Sequence, residues 1–230
     1  MALLTAPIVD DLLTNVRTML GQPSAQNSTW TDEELTVYLN EGVRRYFTEV
    51  VTVAEGQFSA QADLNIVSGV DAITLPVDFF KALIVYIARP DGSFEPLVYK
   101  NNLTEGYTTQ GPSGSNAYTP WYYFRGNSLI LRDVPQFSQT AGIRMEYIQF
   151  PTTLVNGGDT MSAQVLPVFR DLIETYAIYK AKMRESLSSG INTYAPAKEN
   201  LNDLYLSFKE SITQRSLNPV YVTAFNPENS

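Results

Sequence analysis

A chain of 230 residues, 44% of them apolar, holds enough non-polar material for one sizeable core, or for a core with an inserted subdomain. It contains no histidine and no cysteine, which removes the Ser-His-Asp relay, the thiol nucleophile, the disulfide framework and the commonest metal ligands, leaving only carboxylate or lysine chemistry. The formal net charge of -8 is opposite in sign to the basic footprint with which proteins grip phosphates.

The charge is uneven: residues 1–60 hold 8 acids and 3 bases, residues 61–160 hold 9 and 6, and residues 161–230 hold 7 of each. No apolar run reaches the roughly eighteen residues that span a bilayer, and the start MALLTAPIVDD lacks the basic and long apolar regions of a secretory signal. A soluble protein made in a cytoplasm is expected.

In chain order, Thr5 reads as an N-cap with Pro7 in the first helical turn, and Ile8, Leu12, Leu13, Val16 and Leu20 then recur at helical spacing. Gly21 stops that helix and Pro23 follows. A second helix opens on the capping box Thr31–Glu34, with Trp30 and Leu35 placed as a hydrophobic staple. Leu35, Tyr38, Leu39, Gly42, Val43, Tyr46, Phe47 and Val50 form its stripe, and Gly42 within that stripe predicts a close helix–helix approach.

From about Asp63 to Phe150 the pattern changes to short β-branched and aromatic runs. Strands are predicted at Leu64–Val67, Ala72–Leu75, Leu83–Ala88, Phe94–Tyr99, Trp121–Phe124, Ser128–Arg132 and Ile143–Phe150, with turns at Pro90-Asp91-Gly92 and Arg125-Gly126-Asn127. The stretch GYTTQGPSGSNAYTP from Gly106 to Pro120 is too polar for a two-faced strand and predicts an exposed loop. Gly157-Gly158 marks the return to helix. Pro167 opens a third helix with Phe169, Leu172, Ile173, Tyr176, Ala177, Lys180 and Met183 inward, and Ser188-Ser189-Gly190 ends it. Pro196 opens a fourth, whose face carries Leu201, Leu204, Tyr205, Phe208 and Ile212.

The expected architecture is α+β: a helical bundle formed by residues 1–62 and 156–215, an inserted antiparallel sheet or sandwich over 63–155 with the exposed loop 106–120, and an extended tail over 216–230. That tail contains Leu217, Val220, Tyr221, Val222 and Phe225. Apolar tails of this kind dock on something, so these five residues are the predicted partner-binding set.

Chemistry-bearing clusters have plainer readings. Asp10-Asp11 and Asp32-Glu33-Glu34 sit in first helical turns, where acids complement the dipole. Arg44-Arg45 lie one turn from Glu41 and Glu49, predicting in-helix pairs rather than a phosphate site. A glycosidase needs two facing carboxylates, and Asp71, Asp78, Glu95, Asp133 and Glu146 offer candidates with none singled out. In Trp121-Tyr122-Tyr123-Phe124 an alternating strand buries two rings and displays two, which favours core plus interface over a stacking platform for sugars or bases. Gly111-Pro112-Ser113-Gly114 follows no strand-to-helix unit and is not a phosphate loop. No catalytic residue, cofactor or metal is expected.

Three stretches in this order resemble a known family, the head-to-tail adaptor (connector) proteins of tailed bacteriophages, especially the podophage type. They are WTDEELTVYLNEGVRRYF (Trp30–Phe47), ITLPVDFFKALIVYI (Ile73–Ile87) and PWYYFRGNSLILRDVP (Pro120–Pro135), spread through residues 30–215. The Gly106–Tyr118 loop is longer and more polar than the family pattern. The resemblance implies a structural protein of the virion neck that forms a ring, typically of twelve subunits, docked beneath the portal protein. Such a ring continues the DNA channel and offers a platform to the tail or nozzle protein and tail fibres, with no membrane contact. The acidic composition suits DNA sliding without sticking. The rivals are a carbohydrate- or receptor-binding virion module built on the aromatic strands, and a carboxylate-based peptidoglycan hydrolase.

Overall fold

The computed structural model describes residues 8–22, 29–89, 91–100, 121–132, 134–155, 158–159 and 170–217, the side chains of 214–217 excepted. The chain forms two compact units, one of Met1–Gln57 with Pro151–Ser230 and the other of Phe58–Phe150. It is an α+β protein, with four α-helices in the first unit and two sheets in the second among the described residues.

The helical unit consists of α1 (Val9–Met19), α2 (Asp32–Val53), α3 (Arg170–Ser189) and α4 (Ala195–Leu217). α2 lies along α3, α3 along α4, and α1 touches both α2 and α3. The predicted stripes are what they bury: Leu12 and Val16 from α1, Leu35, Leu39, Val43, Tyr46 and Val50 from α2, Leu172, Ile173 and Ala177 from α3, and Leu201, Phe208 and Ile212 from α4. The Tyr46 and Phe208 rings meet with centroids 5.2 Å apart. Gly42 marks the closest approach, since a Cβ there would stand 3.1 Å from the carbonyl oxygen of Ile173.

The Thr31–Glu34 capping box is present at the start of α2, the Glu34 amide donating to Thr31 Oγ1 at 3.2 Å. Trp30 and Leu35 are both buried beside it. At the end of α1, Gly21 takes φ +73°; its N–H donates to the Thr18 carbonyl and that of Gln22 to the Arg17 carbonyl, the paired bonds of a Schellman motif. The start of α1 corrects the sequence reading. Its N-cap is Ile8, without a side-chain cap, and the Val9 N–H is satisfied by the Asp159 carbonyl at 3.0 Å instead. A distant backbone acceptor has replaced the local cap, while Thr5 and Pro7 lie outside the described residues. So do Pro167, Phe169 and Gly157; α3 ends at Ser189 before Gly190, as read.

A short 3-10 turn, Glu55–Phe58, leads into the strand unit. Its strands are β1 (Ser59–Ile66), β2 (Ala72–Thr74), β3 (Phe79–Ala88), β4 (Phe94–Pro96), β5 (Val98–Tyr99), β6 (Trp121–Arg125), β7 (Ser128–Arg132) and β8 (Gln139–Gln149). One sheet has the order β1-β8-β3-β4 and the other β2-β7-β6-β5. Ile66, Val85, Ile87, Ile143, Met145 and Tyr147 from the first join Ile73, Leu75, Tyr122, Leu129 and Leu131 from the second in a single hydrophobic cluster. Every pairing is antiparallel except β5 with β6, which is parallel. Parallel neighbours need a long connection, which the chain between Tyr99 and Trp121 is long enough to supply. The β6–β7 turn is a two-residue loop with Gly126 at φ +58° in first position, the geometry that calls for glycine there.

Three strands begin earlier than predicted. β1 starts at Ser59 and β3 at Phe79 because both pair along the far end of β8, and β8 starts at Gln139, which pairs with Ile66. At the start of β8 the register slips against β1. Ala141 there adopts φ +51°, its N–H donating to Asn65 Oδ1 at 2.9 Å, and a Cβ on Gly142 would come within 2.8 Å of Ile66. These features make an irregularity of the bulge type, read from sequence as loop.

Candidate functional site

The acidic clusters are absorbed by structure. Asp32 receives Arg17 Nε at 2.9 Å, and the same guanidinium, 4% exposed, donates to the Trp30 carbonyl at 3.0 Å. Arg17 thereby ties the end of α1 to the start of α2. Glu34 serves the capping box and also receives Arg184 from α3. Of the two adjacent arginines, Arg45 pairs with Glu49 at 2.8 Å as read. Glu41 instead takes Lys180 of α3 at 2.9 Å, which holds that ammonium protonated to higher pH than usual. Arg44 is left exposed, a correction to the reading that paired both arginines along the helix. Glu174 is 2% exposed and is compensated by Arg170 at 2.6 Å and by the Asn15 amide at 3.1 Å.

Of the five carboxylates considered for hydrolysis, the four described ones are not gathered around one cleft. Glu95 pairs with Arg89, Asp78 accepts the Tyr147 hydroxyl at 3.0 Å, and Glu146 stands in the β8 ladder opposite Gln61 and Ile84. The Asp71 carbonyl accepts the Leu131 N–H, and Asp133 lies outside the described residues. Among the described residues no group of three or more acids is disposed to hold a metal ion.

The aromatic strand departs from simple alternation. Tyr122 and Tyr123 are both buried, although neighbours on a strand face opposite sides, while Trp121 and Phe124 are half-buried. Both faces of β6 are therefore covered at its middle. The Trp121 ring is flanked by Lys100 at 5.3 Å and Arg132 at 5.7 Å. A shallow cleft beside it is lined by Ile87, Arg89, Glu95, Leu97, Lys100 and Trp121, with the Arg89–Glu95 ion pair on its wall. None of the four rings forms an open flat platform for a sugar.

What the described residues expose is contact surface. On the helical unit a groove runs between α2 and the segment before Val155, lined by Glu33, Val37, Asn40, Arg44, Thr153 and Leu154. Its floor is fixed by Asn40, whose buried amide donates to the Leu154 carbonyl at 2.7 Å and accepts the Leu154 N–H at 2.8 Å. Val37 and Val155 stand exposed on its rims. On the strand unit Phe80 and Phe150 meet edge to face at 4.9 Å, both exposed, with Leu83 and Ile84 exposed nearby along β3. Of the predicted partner-binding residues, Leu217 is the last residue of α4, and Val220, Tyr221, Val222 and Phe225 lie outside the described residues, as does the loop 106–120. Sequence reasoning missed Asn40 and Arg17. The one available signal was an asparagine inside an otherwise apolar helical stripe.

The chain has two compact units with exposed apolar side chains on each, and a comparison with known families places it. The profile of the family described as SU10 adaptor protein matches residues 8–221, spanning both units. The chain belongs to this family. It is a phage head–tail adaptor-like protein with a structural role in the virion. No individually curated protein matches this adaptor. No helix among the adaptor's described residues is long and apolar enough to cross a membrane.

Proposed function

We propose that this adaptor, of the podophage type, closes into a ring of twelve copies beneath the portal protein, in the virion neck. The ring extends the channel through which DNA passes and presents a platform to the tail or nozzle protein. The observation that carries this reading is the family match running through both units, from the first helix to the segment after α4. In it the helices form a bundle facing the channel or the neighbouring copies, and the two sheets form an outer sandwich.

Three features support it. A net charge of -8 weakens phosphate contact, which suits a channel that must release DNA. Exposed apolar side chains on both units supply material for heterologous contacts, which close a ring when the rotation between copies divides a full turn. The apolar residues Leu217, Val220, Tyr221, Val222 and Phe225 supply a docking segment that reaches the portal or an adjacent copy, and the polar loop 106–120 faces outward toward a tail component.

Electron microscopy of the purified chain, alone and with a portal, tests the proposal. A ring with a central channel, alone or on the portal, is expected. A compact monomer under both conditions would overturn it.

A further inference from the structure

We propose that the free edge of β1 is the acceptor for the terminal segment Val220–Phe225 of a neighbouring copy, which adds to the first sheet as a fifth strand. The proposal rests on the ring reading above and names the surface by which one copy holds the next.

β1 is the longer of the two edge strands of its sheet, running from Ser59 to Ile66, and its residues 60–64 pair with β8 along one side. Among the described residues no backbone hydrogen bond is made by residues 60–65 on the side away from β8. Such an edge is a template for another strand, and proteins that must keep it unused blunt it with lysine, proline or an inward charge. β1 has neither lysine nor proline, and its one charge, Asp63, is neutralised by Arg144 on the paired strand at 2.9 Å. The register slips only beyond Leu64, so the edge is regular over the residues before it.

The side chains point the same way. Ala60, Ala62 and Leu64 pack against the hydrophobic cluster yet remain half-buried, whereas Ser59, Gln61, Asp63 and Asn65 face solvent. The core is thus unfinished at this edge, on one parity only. The chain after α4 carries the matching alternation. Val220, Val222 and Ala224 form one wholly apolar parity, while the other holds Tyr221 and Thr223, which carry hydroxyls, and the apolar Phe225. Valine, tyrosine, threonine and phenylalanine are also the residues that favour strands. Pro219 biases Asn218 toward extended backbone. The residues 218–230 that follow α4 could span roughly 40 Å when extended. Main-chain bonds to an edge supply affinity in this mode of recognition, and alternate side chains supply register.

The absence of native cysteine gives a clean test. Cysteines are placed pairwise in the full chain, Ala60→Cys, Ala62→Cys or Leu64→Cys with Val220→Cys, Val222→Cys or Ala224→Cys, and oxidised under assembly conditions. At least one pair is expected to yield a non-reducing ladder of covalent dimers and higher oligomers that the single variants lack. Rings by microscopy without any such ladder would overturn the strand addition while leaving the ring intact. A disulfide confined to monomers would mean that the chain completes its own edge, and would overturn the neighbour as donor. Monomers by microscopy with no ladder would sink both readings. Val222→Pro lies beyond the last helix and removes a main-chain donor from the proposed strand. It is expected to accelerate amide exchange in Ala60–Asn65 at least tenfold relative to the parent assembly, and unchanged protection there would also refute the proposal.

Discussion

At the scale of single residues, the helical unit turns on contacts that look minor in the sequence. Gly42 costs helix propensity of about 1 kcal/mol relative to alanine, and propensity alone therefore predicts that Gly42→Ala stabilises α2. The structure predicts the reverse. The added methyl would meet the Ile173 carbonyl oxygen at 3.1 Å and its Cγ2 at 3.3 Å. A carbonyl inside α3 cannot yield without moving the helix, and overpacking of this kind costs about 1–3 kcal/mol. Gly42→Ala is expected to lower stability by a net 1 kcal/mol or so, read as a reduced urea midpoint with unchanged slope. An unchanged or raised midpoint would show that α2 and α3 separate easily. The close approach at Gly42 was legible because a glycine inside an apolar stripe needs a reason. Asn40, two residues earlier, was not: its partner is Leu154, and no local pattern announces a pairing across 114 positions.

At the scale of elements, legibility followed the locality of the forces. The α2 start and the ends of α1 and α3 are written in caps and glycines within a few residues, and all were readable. The start of α1 was misread because its first N–H is served by Asp159, far along the chain. The first part of β1, Ser59–Asp63, and the beginning of β8 were missed for the same kind of reason. SAQAD is a weak strand sequence that becomes strand by pairing with Arg144–Ile148 of β8, and QTAG is held at the β8 start by the pairing of Gln139 with Ile66. The irregularity in β8 makes this testable. Ala141 holds a left-handed conformation, which favours glycine by about 1 kcal/mol. Ala141→Gly should therefore be neutral to stabilising by up to about 1 kcal/mol in denaturant unfolding, although glycine normally weakens a strand. A loss of stability would mean that the backbone at this position is regular.

At the scale of the whole molecule, each unit holds a tyrosine that resists ionisation, Tyr147 buried and Tyr205 half-buried with its hydroxyl enclosed. Tyr147 in the strand unit is pushed up to about 12 by burial and then by the hydrogen bond it donates to Asp78. Tyr205 in the helical unit is pushed up to about 12 by burial, against the opposing pull of Arg45, which lies over the ring at 5.6 Å; among the described residues its hydroxyl has no partner at hydrogen-bond distance. An unfolded tyrosine ionises near 10. Below that pH both states hold the proton and stability is independent of these groups. Between about 10 and 12 the unfolded chain releases protons that the folded chain retains, so stability falls, by at most about 1.4 kcal/mol per pH unit for each such group. Lys180, raised by Glu41, acts in the same direction. Urea unfolding at intervals from pH 9 to 12 should show a plateau and then a decline, and the double variant Tyr147→Phe/Tyr205→Phe should decline less steeply. The single variants should separate at the plateau. Tyr147→Phe loses a made hydrogen bond worth about 1 kcal/mol, whereas Tyr205→Phe removes an unsatisfied buried hydroxyl and should be neutral or stabilising. If Tyr205→Phe instead destabilises the isolated chain, its hydroxyl has a partner in solution. If the parent and the double variant fall with identical slopes, neither tyrosine is held as the geometry requires.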